Sequence, residues 1–167
     1  MKADKSDELF LRFMSILTLG SLLLLLFRKP PIKDWLVVYL FNATTNTILD
    51  NILVSSKILS YPVRFFPKVF NTHILFDFLI YPTFTILYNQ MTEKDKLGPI
   101  IYKLLYFVVP MLLIETWAAK KTNLIAWKKW WKWYHTLLGF VFKSLITRSV
   151  LGLVNKVENK QNNVNNV

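Results

Sequence analysis

LFLRFMSILTLGSLLLLLF, residues 9–27, decides the fold class. Arg12 is its one charge, and its nineteen residues approach the ~20 that a helix needs to cross about 30 Å of hydrocarbon. A signal peptide carries a basic region before its apolar run, but here Asp4, Asp7 and Glu8 precede it. Arg28-Lys29-Pro30-Pro31 then ends the run with residues that cannot prolong a helix. The run is expected to stay in the bilayer as an anchor, with residues 1–8 as a cytoplasmic amino terminus.

The rest of the chain has the same character. Of 167 residues, 53% are hydrophobic, including thirteen Phe, seven Tyr and six Trp, which suits lipid-facing helices better than one buried core. Without Cys there are no disulfides or thiolate metal sites. The four Gly (20, 98, 139 and 152) form no phosphate-cradling loop. The formal charge of +11 comes from Lys and Arg that flank apolar runs, an arrangement that fits anionic lipid headgroups and not nucleic acid.

Four further segments follow. Residues 35–54, with Asp34 placed to cap them, carry Asn42, Thr44, Thr45, Asn46, Thr47, Asp50 and Asn51 and need shielding by neighbouring helices. The connector SSKILSYPVRFFPKVFNT is broken by Pro62 and Pro67, so Arg64 and Lys68 are expected at the interface, outside any helix. Residues 72–88 contain Asp77 and Pro82; residues 99–117 contain Lys103, Glu115 and Pro110, where a kink is expected. Trp127, Lys128, Lys129, Trp130, Trp131, Lys132 and Trp133 read as an aromatic and basic belt at the lipid interface.

The fifth segment, 135–154, has a polar face of Lys143 and Thr147 among others, and suits either a surface helix or a span with a buried polar side. Residues 155–167 are Asn-rich and expected to be disordered. The expected fold is therefore all-α, one integral membrane bundle over 9–154 with four to five transmembrane helices. With five spans, eleven Lys and Arg fall on the amino-terminal side and eight opposite; with a flat last helix the count is fifteen to five. Both counts put the amino terminus in the cytoplasm.

Alternating direction brings Asp50, Asp77 and Glu115 to one leaflet, at the level of His73 and His135. Asn42, Asn46 and Asp50 step by four, as do His73, Asp77, Tyr81 and Thr85, so each set lines one helix face. The second stripe is expected to face the first, since charge at membrane depth turns toward a partner or water. The Asn42 and Asn46 amides would satisfy Tyr81 and Thr85, while Lys143 and Arg148 would neutralise Asp77 or Glu115. These residues are candidates for interhelical packing or for binding a proton or cation. No close pair such as HxxxH or ExxH occurs, and no GxSxG or HExxH is present, so neither cofactor nor metal nor catalysis is expected.

The strings RKPPIKDW, YPVRFFPKVF, ILFDFLIYPTFTILYNQ and KKWWKWYHT resemble an uncharacterised family of small multi-pass membrane proteins from spore-forming Gram-positive bacteria, the bacilli and clostridia. That resemblance covers roughly residues 25–150 and implies a bacterial plasma membrane or a spore membrane. It transfers no functional residue. The expected function is a non-enzymatic subunit or scaffold that associates with itself or with another membrane protein. The alternative is a small oligomeric transporter or ion-conducting protein built on the intramembrane carboxylates.

Overall fold

The computed structural model describes residues 5–128 and 130–165 and is all-α, apart from one two-residue strand pair. The helices are α1 (Lys5–Arg28), α2 (Ile32–Ser55), α3 (Tyr81–Thr92), α4 (Leu97–Lys121) and α5 (Trp133–Asn165). A π-helical turn, Leu75–Ile80, leads into α3. β1 (Leu59–Ser60) pairs antiparallel with β2 (Ala126–Trp127). Three of the helices, Leu9–Arg28, Leu97–Lys121 and Trp133–Val164, are long and apolar enough to cross a membrane. Large apolar side chains stand exposed along each of them, among them Leu24, Phe27, Leu113, Leu138 and Phe142. So much apolar surface is what lipid-facing helices require and what a water-soluble monomer avoids.

α2 starts at Ile32, so Asp34 lies in its first turn and does not cap it. Its half-polar composition is accommodated by position. Trp35, Val38, Asn42, Ala43 and Asn46 are all buried. Trp35 and Val38 pack with Leu22 and Leu25 of α1, Ile86 of α3 and Leu151 of α5. A second apolar cluster joins Leu11, Leu75, Tyr88, Leu104, Met111 and Phe140. α5 is therefore packed into the bundle. Its Asn-rich end is helical through Asn165, not disordered. Asn155 Nδ2 donates to Asp34 Oδ2 over 3.1 Å and Glu158 pairs with Lys33, which ties this end to the start of α2.

The π turn has a cause in the sequence. Pro82 lacks an N–H, and its ring would clash with the carbonyl four residues back in a regular helix. The chain widens by one residue instead, and Tyr81 N–H bonds Phe76 O. The Asp77 carbonyl is thereby left without a helical donor, and Asn46 Nδ2 supplies one at 3.1 Å. α4, by contrast, continues as one helix through Pro110.

The two ends of the bundle differ. At one end, three cations meet the last carbonyls of α3: Lys29 on Gln90 O (3.0 Å), Lys103 on Met91 O (3.1 Å) and Arg148 on Thr92 O (2.6 Å). These groups have no intrahelical partner, and positive charge there also suits the helix dipole. At the other end the two long connectors close on each other through β1 and β2, and Val63 N bonds Asn123 O. Arg64 lies in this irregular connector and holds its shape, donating to the carbonyls of Tyr61, Pro67 and Phe70. Lys68 lies in the same connector, also outside any helix.

Candidate functional site

At the connector end, a cavity of about 350 Å³ lies inside the bundle. Its volume is in the range of small-molecule pockets. Of the nine residues in the two stripes and at their level, six line it: Asn46, Asp50, His73, Tyr81, Glu115 and His135, while Asn42 and Thr85 do not. Asp77 lies just behind the wall, fully buried, with Asp50 and Lys143 as its charged neighbours.

Each carboxylate is placed by different local chemistry. Asp50, near the end of α2, accepts a 2.6 Å hydrogen bond from the Tyr61 hydroxyl. Burial holds the Tyr61 phenol well above its ordinary range, and the Asp50 charge adds to this, so Tyr61 remains a donor. Glu115, near the end of α4, accepts from Thr136 Oγ1 at 3.1 Å, and Thr136 accepts in turn from Trp131 Nε1. Neither carboxyl oxygen of Asp77 meets a hydrogen-bond partner. Its stripe does face the bundle interior, but the contact to α2 is made through the Asp77 backbone, not its side chain.

The rest of the stripe departs from the expected pairing. Tyr81 reaches α5, with its hydroxyl 3.4 Å from both Phe140 O and Ser144 Oγ, and Thr85 bonds back to Tyr81 O. The reason is the π turn: a four-residue step through it falls short of a full turn and carries Tyr81 off the line of Asp77. Asn42 also turns to α5, its side-chain oxygen accepting from Thr147 Oγ1 at 3.2 Å. Arg148 neutralises neither Asp77 nor Glu115, being engaged at Thr92.

His73 precedes the π turn in the connector, outside the helices. Its ring packs edge-on against Tyr61 at 5.5 Å and its Nδ1 is buried without a partner. Burial pushes the imidazole down to about 4, with a smaller push from Arg64. A base harder to protonate in the folded state destabilises the fold as pH drops from its ordinary value, about 6.5, toward 4. In urea unfolding in micelles, His73→Gln should remove roughly 2–3 kcal/mol of the acid destabilisation across that window. An unchanged pH profile would contradict a buried neutral His73. His135 has a local role as well, its Nδ1 accepting from Lys132 N at 3.1 Å.

The aromatic belt divides. Trp130 and Trp133 are exposed, as are Lys128 and Lys132, while Lys129 lies outside the described residues. Trp127 and Trp131 turn inward instead. Trp127 packs beside Tyr61, Ala118 and Ile125, and Trp131 lines the cavity and stacks on His135 at 5.1 Å. Strand pairing with Leu59 sets the direction of Trp127, and the bond to Thr136 that of Trp131.

Tyr61, Trp131 and Thr136, which belong to neither stripe, also line the cavity, and so does Lys143, expected only as a counter-charge. Lys143 and Thr136 were visible on the polar face of α5. Tyr61 carried no signal, because only the folding back of the connector brings it to Asp50. Lys143 Nζ lies 3.3 Å from Asn42 O and 4.6 Å from the centre of the Tyr81 ring. The cavity region thus gathers three carboxyl groups against one ammonium, with aromatic faces around them. Such a surface favours positively charged occupants. No family model, no curated protein and no solved structure matches this chain.

Proposed function

We propose that this chain is a small multi-pass membrane protein that binds a cation in the cavity at the ends of α2 and α4, as part of a transporter or conducting assembly. The single observation that carries this reading is the cavity itself, with the Asp50 and Glu115 carboxyls on its wall. Its setting is a five-span bundle, supported by the packing of α5 against α2 and α4 and by the shielding of α2's amides. The amino terminus is cytoplasmic, as the Lys and Arg balance favours, and the resemblance suggests a bacterial plasma or spore membrane. Because five helices rarely enclose a pore, the working unit is an oligomer. No catalytic role is assigned to any residue.

Cation flux into proteoliposomes tests it. Asp50→Asn and Glu115→Gln should each reduce flux by at least about tenfold, since each removes a carboxyl group from the cavity wall. Identical flux in parent and variants, for every cation and pH tried, ends the proposal.

A second reading, a membrane subunit or scaffold, is favoured by the outer face of α2. Thr44 and Asn51 stand exposed there beside Leu40 and Ile48. Polar groups on a lipid-facing surface suit contact with another helix. A mass measurement in mild detergent showing a lone monomer, with no co-purifying protein, would remove this reading and leave the cavity unaffected.

A further inference from the structure

We infer that the cavity seats a lipophilic organic monocation, an amine or quaternary ammonium on an aromatic or aliphatic body, which enters sideways from the membrane between α2 and α4. This rests on the cation reading above and adds the chemical class and the route.

The route follows from the cavity's boundaries. Its floor is made by the paired connectors, through Leu59, Tyr61, Leu124 and Ile125, all at most 8% exposed. That floor bars the aqueous side at the connector end. Its flank is different: Leu49 and Ile52 on α2 and Ile114 and Trp117 on α4 line the cavity and are 40–54% exposed. The mouth is therefore rimmed by apolar side chains on two helices, one of them long and apolar enough to cross a membrane. A hydrated inorganic ion gains nothing from such a rim. An amphiphile already dissolved in the bilayer passes it without losing apolar contacts.

The class follows from the wall. Asp50 and Glu115 come from different helices, and each already accepts one hydrogen bond, from Tyr61 and Thr136. Among the described residues no group of three or more His, Asp or Glu stands close enough to hold a metal ion. A small hard cation needs about six oxygen ligands, which this wall does not offer. Aromatic faces are plentiful instead, with Tyr61, Phe76, Tyr81, Trp131 and Phe140 lining the same space. Rings plus a few carboxylates recognise an organic ammonium. The buried, unpartnered Nδ1 of His73 is a further polar group at this wall, with a lone pair or proton to offer.

Lys143 completes the picture. Its ammonium sits over the Tyr81 ring, near Asp77 and Asp50, where a bound cation would also be drawn. It acts as an internal competitor for that place over the ring, so removing its amino group should tighten binding.

The test is equilibrium dialysis of labelled benzyltrimethylammonium against the full chain in maltoside micelles, which contribute no cation. Saturable binding of one probe per chain is expected, at least about tenfold weaker in Asp50→Asn and in Glu115→Gln and several-fold tighter in Lys143→Met. Neopentylbenzene, the neutral isostere, should fail to compete. Where a carboxyl variant does not elute as the parent does, the isostere competition on the parent decides. Phosphatidylethanolamine should also fail to displace the probe, because its phosphate meets the carboxylates; displacement would overturn assignment to a free cation. Non-saturable binding, or equal competition by the isostere, overturns the proposal. If sodium or proton uptake is saturable and lost in Asp50→Asn while the probe does not bind, the cation reading stands and the organic class fails.

Discussion

Replacing Asn46 with leucine should destabilise the protein by about 1–2 kcal/mol, and by a small fraction of that once Pro82 is alanine. Leucine matches the amide in size, so the packing of α2 should survive. What is lost is the donor to the Asp77 carbonyl, 3.1 Å from Asn46 Nδ2. That carbonyl is orphaned because Tyr81 N–H is engaged by Phe76 O and Pro82 has no N–H. An unsatisfied buried carbonyl carries most of the cost, since the net value of a paired bond is smaller. Alanine at position 82 restores an N–H within the helix and removes the need for Asn46. A double-mutant cycle, measured by unfolding in mixed micelles, should therefore show coupling of about 1 kcal/mol. Equal cost of the Asn46 change in both backgrounds would show that Pro82 is not the reason for the contact.

The largest stability effect is expected at Arg148. Its guanidinium donates to both Thr92 Oγ1 and Thr92 O at 2.6 Å, fixing the last turn of a helix only twelve residues long. Hydrogen bonds to a charged group are worth about 1.5–3 kcal/mol, and losing both also uncaps a helix terminus. Arg148→Met should cost about 3 kcal/mol and raise amide exchange through residues 88–92, with exchange in α1 little changed. Arg148→Lys should recover less than half, because a point charge cannot make both fork contacts. Lys29 and Lys103 cap the neighbouring carbonyls and should each matter less. Each is a single point charge on one carbonyl and also pairs with an acidic side chain, Glu93 or Asp95. If Arg148→Met left exchange in this turn unchanged, α3 would not depend on its cationic cap.

The all-α class and the three long apolar helices were legible without coordinates because both are local properties. A run such as 9–27 sets its own length and hydropathy whatever it packs against. The inward turn of Asp77 was legible as well, since a carboxylate at membrane depth has few alternatives. So was the shared level of Asp50, Glu115, His73 and His135, which follows from alternating helix direction.

What each side chain bonds was decided only by the tertiary structure. Pro82 is plain in the sequence, but whether the chain answers with a kink or a π turn depends on a donor arriving from elsewhere. Asn46, on another helix, supplies it, and the widened turn sends Tyr81 to α5 instead of α2. The cavity floor needs residues 59–60 and 126–127 to pair across a separation no local pattern encodes, and that pairing turns Trp127 inward and brings Tyr61 to Asp50. Helix formation depends on contacts three and four residues apart, whereas the cavity depends on contacts scores of residues apart. The helices could therefore be read along the chain, and the cavity could be read only once the chain had folded.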